Sequence, residues 1–169
     1  MKNRALTSSH KKVAVALFDG SSEQGYLSPQ RLGQEESFDL LTRDGENRTI
    51  ETGAVKAVYF IRDFTASFEL DRKTFLSRPK LDGLWVRLRF RDGDEMEGLV
   101  TNDLLDLLDT GVRLTPPDLH GNSLRVFIPR TALAEMKVLG VVGVARRPIR
   151  EKPAAAQSGS AGQAKLFGE

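Results

Sequence analysis

Few residues in this chain have the chemistry for catalysis. There are two histidines, His10 and His120, and no cysteine. His10 stands in a basic polar stretch and His120 in the loop of residues 116–122, and neither has a carboxylate partner or metal-ligand spacing around it. The lack of cysteine excludes disulfides, thiol catalysis and thiolate-held metals, and it fits a reducing compartment. Asp103, Asp106 and Asp109 recur at every third position, a pattern that could pair acids or hold calcium. The leucines between them, and the missing loop glycine, make them acids on the surface of a helical turn. No nucleophile-elbow, phosphate-loop or dinucleotide-binding glycine pattern occurs. The sequence therefore predicts a protein that is not an enzyme and takes no cofactor and no metal.

The cationic residues are the next group that could act. Arg87, Arg89 and Arg91 alternate with Val86, Leu88 and Phe90, and Arg113 and Arg125 stand among apolar neighbours in the same way. With Asn102 they would make a nucleic-acid track if exposed flat rings lay beside them. Period-two alternation also describes the solvated face of a strand, and that is the leading reading. The net charge of +2 is close to neutral and does not demand an anionic partner. Hydrophobic residues at 40% and charged residues at 28% fit a soluble globular chain. The longest apolar run, residues 138–145, falls well short of the roughly 20 residues that span a bilayer, so no membrane partner is expected. The basic start of the chain lacks a following apolar core and does not read as a secretory signal, so the expected location is the cytoplasm of a bacterium-like cell.

The elements that carry these residues come from a stretch used twice. Residues 13–27 read VAVALFDGSSEQGYL and residues 86–100 read VRLRFRDGDEMEGLV. Asp19, Gly20 and Gly25 map onto Asp92, Gly93 and Gly98 at one offset, because 92 − 19 = 73 and 98 − 25 = 73. Each copy is a strand, an Asp-Gly turn and a return strand. The turn needs the glycine because φ > 0 costs it no Cβ clash. The interior Gly25 and Gly98 mark a bulge or sharp bend. Further strands are predicted at 37–42, 48–52 and 57–61 in the first half, the last almost wholly apolar and so buried on both sides. Residues 53–56 read as a tight turn or one turn of 3₁₀ helix.

The second half repeats the plan with strands at 85–90, 96–101, 111–115, 124–129 and 136–139. Residues 102–108 (NDLLDLL) suggest a helical turn capped by Asn102. Ile50 and Val58 map onto Ile128 and Met136 at an offset of 78, five more than 73, as inserted loop length requires. The expected organisation is a basic arm at 1–12, a first small β-barrel at 13–61, a connector at 62–84, a second barrel at 85–145 and a disordered tail at 146–169. Phe64, Phe68, Phe75 and Leu76 are too apolar for a free linker, so a short helix at 69–76 is expected in the groove between the halves.

This order of strand, Asp-Gly, glycine-bearing strand, third strand and Ile-x-x-x-Ala-Val/Leu before a last strand resembles the Sm-like, SH3-like small barrel. The resemblance implies a mainly β fold of two tandem five-stranded barrels, and members of that class often bind single-stranded RNA. The loops here lack that class's Asp-to-Asn stretch and its Arg-Gly pair. Val55 to Phe64 also resembles an uncharacterised bacterial family of unknown function. The spacing of Arg146 and Arg150 is that of PilZ domains, whose companion motif is absent. In the tail, Gln163-Ala-Lys-Leu166-Phe167 resembles the short peptide by which bacterial replication and repair proteins dock on the sliding clamp. The functional expectation is a non-enzymatic adaptor for a protein or peptide partner, acting through the barrel loops and the inter-repeat groove. Nucleic acid and the sliding clamp are its alternatives.

Overall fold

The computed structural model describes residues 9–143. The first half carries β1 (Lys11–Leu17), β2 (Ser22–Leu27), β3 (Ser37–Thr42), β4 (Asn47–Glu51) and β5 (Val55–Ile61). The second carries β6 (Gly83–Phe90), β7 (Glu95–Val100), β8 (Gly111–Leu114), β9 (Ser123–Pro129) and β10 (Leu133–Val142), with one helical turn, α1 (Leu104–Leu107), between β7 and β8. Short 3₁₀ turns at Thr52–Ala54 and Arg130–Ala132 occupy equivalent places before β5 and β10.

The three Asp-Gly turns share one geometry. The amide of Gly20 donates to Leu17 O, that of Gly45 to Thr42 O and that of Gly93 to Phe90 O, at 3.0–3.1 Å. Each glycine has φ between +86° and +92°. That is the three-residue hairpin loop whose last position takes the left-handed conformation. Gly25 lies where β2, already paired with β1, also meets β3 at Gly25–Thr42. A Cβ at Gly25 would collide with the Leu41 carbonyl, so only glycine lets the third strand approach. Gly98 plays the same part against Leu114 and the Thr115 carbonyl.

The strands assemble into two sheets, with orders β4-β3-β2-β1-β5-β9-β8 and β10-β6-β7. This corrects the expected pair of tandem closed barrels. Among the described residues neither sheet closes, and β9 of the second half pairs with β5 of the first, with Val58 opposite Phe127 and Tyr59 opposite Val126. A single bridge between Leu99 and Thr115 links the two sheets. The seam strands serve two cores. Val58 and Phe127 pack with Val13, Val15 and Leu40, while Ala57, Val126 and Ile128 pack with Val86, Leu88 and Leu114. Period-two side chains explain this, since successive residues point to opposite faces. It is also why β5 is apolar at nearly every position.

The connector, residues 62–82, contains no helix, contrary to expectation. Its backbone is instead held by the loop before β9. The Asn122 side chain accepts from Asp63 N at 2.9 Å and donates to Asp63 O and Ala66 O, and Ser123 Oγ donates to Phe68 O at 2.6 Å. Phe64 meets Tyr26 edge-on, Phe68 lies on Tyr59, and Phe75 meets Trp85 edge-on. Aromatic anchors at that spacing are satisfied by an extended path, so helical hydrogen bonding is not needed. No helix among the described residues is long and apolar enough to cross a membrane.

Candidate functional site

The second repeat's Asp-Gly turn is fastened onto the first repeat. Lys56 of β5 donates through Nζ to Asp92 Oδ2 at 2.7 Å and Asp94 Oδ2 at 3.0 Å, and Lys73 of the connector reaches Asp94 Oδ2 at 3.1 Å. Burial alone would lower the Lys56 pKa, but the hydrogen bonds it donates to the two carboxylates outweigh it and raise it. The same hydrogen bonds from Lys56 hold Asp92 and Asp94 below the ordinary carboxylate value. Beside them Arg91 lies 3.9 Å over the Phe18 ring and donates to Gly53 O at 2.8 Å. The halves therefore pack as one unit through a cationic and aromatic joint.

This joint borders a groove of about 370 Å³ between the repeats. Leu17, Tyr59, Phe68 and Met96 give it an apolar floor, and Glu69, Lys73, Asp94 and Glu95 stand on its rim. Burial pushes the Tyr59 phenol above its ordinary value. No cluster of three metal-ligating side chains occurs among the described residues.

Three arginines of the sequence-derived track, Arg87, Arg89 and Arg91, are engaged. Arg87 Nη2 donates to Glu97 Oε1 at 2.9 Å, and Arg89 lies 3.6 Å from Glu135. Arg91 belongs to the joint already described. Glu97, 3% exposed, was not singled out from the sequence, yet it is the most connected carboxylate of the second half. It accepts from Trp85 Nε1 at 3.0 Å, Phe75 N at 3.1 Å and Arg87, and its own amide donates to Lys73 O. Burial alone would raise its pKa, but those donors together lower it. The sequence EMEGLV carries no signal for it, because the continuous burial of β7 after Glu95 shows only in the structure. His120 sits in the loop before β9, and His10 precedes β1.

Asn102 is exposed but does not cap α1. The cap is Asp103, whose Oδ1 accepts from Leu105 N at 2.9 Å, because the carboxylate lies one residue nearer the first free amides. This turn carries Leu104, Leu105 and Leu108, exposed by 72%, 79% and 67%. The corresponding segment of the first repeat, after the 3₁₀ turn Pro29–Arg31, buries Leu32 instead. Asn102, Arg113 and Arg125 line a second groove of about 540 Å³, together with Asp82 and Asp106.

A family of unknown function, DUF6982, matches residues 9–140, nearly all of the described region. The chain belongs to that family. No curated protein and no solved structure matches the chain. Membership therefore carries no activity with it, and the surfaces above are the only basis for a functional reading. Gln163, Leu166 and Phe167 lie outside the described residues.

Proposed function

We propose that the chain is a non-enzymatic adaptor that holds a protein partner through α1 and the loops around it. The observation that carries this reading is the leucine trio of α1. Single exposed apolar side chains are ordinary, but three on one capped turn form a patch that water solvates poorly. Burying side chains of this kind yields about 1.5–3 kcal/mol each, enough to anchor a contact. The cap at Asp103 keeps the turn formed before binding, which limits the ordering cost. The finer architectural reading is two Sm-like barrels left open and fused. The matching strand succession, the paired bend glycines and the equivalent 3₁₀ turns support it.

A second reading rests on Arg125, which makes no hydrogen bond or ion pair among the described residues and shares its groove with Asn102 and Arg113. A cationic side chain left unpaired there suits a phosphate of single-stranded nucleic acid. A third, docking on the sliding clamp, rests on Gln163, Leu166 and Phe167 alone.

One experiment separates the three. The full chain, a Leu104→Asp/Leu105→Asp variant and a chain ending at Lys152 are used to capture partners from bacterial lysate, with and without nuclease. A protein held by the first and third baits, resistant to nuclease and lost from the leucine variant, supports the adaptor reading. Loss with nuclease moves the assignment to nucleic acid, and loss only on truncation moves it to the tail.

A further inference from the structure

β5 is paired on both edges, with β1 on one side and β9 on the other. Its counterpart in the second repeat is β10. Val15 stands opposite Val58 in the first repeat and Leu88 opposite Met136 in the second, so the offsets of 73 and 78 carry one pair onto the other. β10 pairs with β6 on one edge and, among the described residues, with no strand on the other. It is also the longest strand described, with ten residues. An open strand edge presents a row of backbone donors and acceptors to any chain that can line up with it.

The side chains of β10 leave that edge open to a partner. Val138 stands opposite Val86 and Val141 opposite Leu84, and residues paired in this way share a face. Val86 and Leu84 are buried, whereas Val138 and Val141 are exposed, so the core face of the sheet runs uncovered onto β10. On the other face Lys137 stands directly opposite Arg87, a like-charged pair, and Glu135 stands opposite Arg89. Arg87 bonds to Glu97, which leaves Lys137 to share Glu135 with Arg89. A second carboxylate on the open side of Lys137 relieves that crowding.

β4 of a second copy does not supply one. Carrying the β5–β9 register over by 78 puts Thr49 in the place of Phe127 and Arg48 in the place of Val126, so Lys137 would meet Arg48. β10 of a second copy does supply one. With the two strands antiparallel about a two-fold axis at Met136, Lys137 of each copy meets Glu135 of the other, and Val138 lies beside Ala134 of the other. We infer that the chain forms a two-fold dimer in which β10 pairs with β10 of a second copy, joining two three-stranded sheets into one. Register shifts between Leu133 and Glu135 and between Val138 and Gly140 confine regular pairing to the middle of β10, and beyond it Arg78 donates to Val141 O. The contact is therefore short, and because it uses the same edge of both copies it closes at the dimer. It does not involve α1.

The test is the mass of the full chain in solution, read by sedimentation equilibrium over a range of concentrations. The expected result is a reversible dimer of the 18.7 kDa chain. Glu135→Lys sets lysine against Lys137 of the other copy, and Lys137→Glu sets glutamate against Glu135, so each variant should dimerise about tenfold more weakly. Mixed in equal amounts the two variants should dimerise again, because each then meets only opposite charges on the other. That recovery also shows that both fold. Met136→Cys, in a chain with no other cysteine, should give a covalent dimer when an added disulfide oxidises it, and Thr49→Cys on β4 should not. Leu104→Asp/Leu105→Asp should dimerise like the parent, so failure of the adaptor reading and failure of this one are distinguishable. A parent chain that stays monomeric, charge variants that dimerise as the parent does, or a mixture that does not recover overturns the inference. So does a mass that grows past the dimer, which would mean head-to-tail pairing through β4, and so does a dimer lost only from the leucine variant, which would place the contact on α1.

Discussion

Replacing Glu97 tests whether one buried carboxylate holds the connector to the second repeat. Glu97→Ala removes the acceptor for three donors: Trp85 Nε1, Phe75 N and Arg87 Nη2. The Arg87 side chain is 47% exposed and can hydrate once released, so its share is small. The indole and the Phe75 amide are part-buried, and an unsatisfied donor of that kind costs about 1–3 kcal/mol. The sum is about 3 kcal/mol, or a fall of roughly 10 °C in melting temperature for a domain of this size. Glu97→Gln keeps an acceptor oxygen but loses the charge, and should cost about 1–2 kcal/mol. The assay is urea unfolding followed by fluorescence of Trp85, the only tryptophan in the chain. Its pH dependence gives an independent sign. The folded-state pKa of Glu97 is lowered from 4.5, so the native state binds fewer protons than the unfolded chain. Its stabilisation is complete above pH 4.5 and is lost as pH falls through the lowered native value, and Glu97→Gln should flatten that acid limb. A Glu97→Ala protein within about 0.5 kcal/mol of the parent would refute the reasoning, since surface substitutions alone fall in that range.

The two bend glycines should respond unequally. Gly25→Ala drives a methyl into the Leu41 backbone and should cost about 2–3 kcal/mol by urea unfolding, whereas Gly98→Ala first meets the rotatable Leu114 Cδ1 at 2.5 Å and should cost less. Lys56→Met should cost under about 1 kcal/mol, and less at high salt, because Asp92 and Asp94 are 37% and 42% exposed; a larger loss would mean that the joint carries more stability than its solvation allows. Asp103→Ala should leave the global unfolding midpoint near that of the parent while hydrogen exchange at the Leu105 amide speeds several-fold, about 1 kcal/mol of cap being lost locally; unchanged exchange would show that Asp103 does not hold the turn.

Most of the strand plan was legible because the repeat supplied each assignment twice. Asp19-Gly20 and Asp92-Gly93 announce the same hairpin loop, and the offset of 78 places Thr52–Ala54 on Arg130–Ala132. The connector and the functional surfaces were less legible. Phe64, Phe68 and Phe75 announce burial but not the partner that buries them, and here the partners are three separate elements rather than one groove. Arg87 and Arg89 lie on one face of β6 as the alternation implied, while Arg91 falls in the turn after it, and the alternation could not show that Glu97, Glu135 and Phe18 meet them. Glu97 looks like any surface acid until Trp85 and Phe75 are seen to aim donors at it. The leucines of α1 were read as part of a helical turn, and only the structure shows that three of them face solvent.

The fusion of the halves had a sequence signal of its own. β4 and β9 are equivalent strands of the two repeats, yet β4 reads NRTIE and β9 reads SLRVFIP. One is polar at four of five positions, and the other carries an almost unbroken apolar run. Equivalent strands with the same role inside their own repeat should not differ in this way. They differ because their outer edges do: β4 ends its sheet, where Arg48 can pair with Glu23 and water covers the rest, while β9 is inserted between β5 and β8. Charge on an open edge discourages further strand pairing, whereas an inserted strand must offer apolar side chains to both faces. The contrast between NRTIE and LRVFI therefore identifies the strand at which one repeat joins the other. The apolar run of β5 identifies its partner, because within a single repeat only one of its faces would need to be buried.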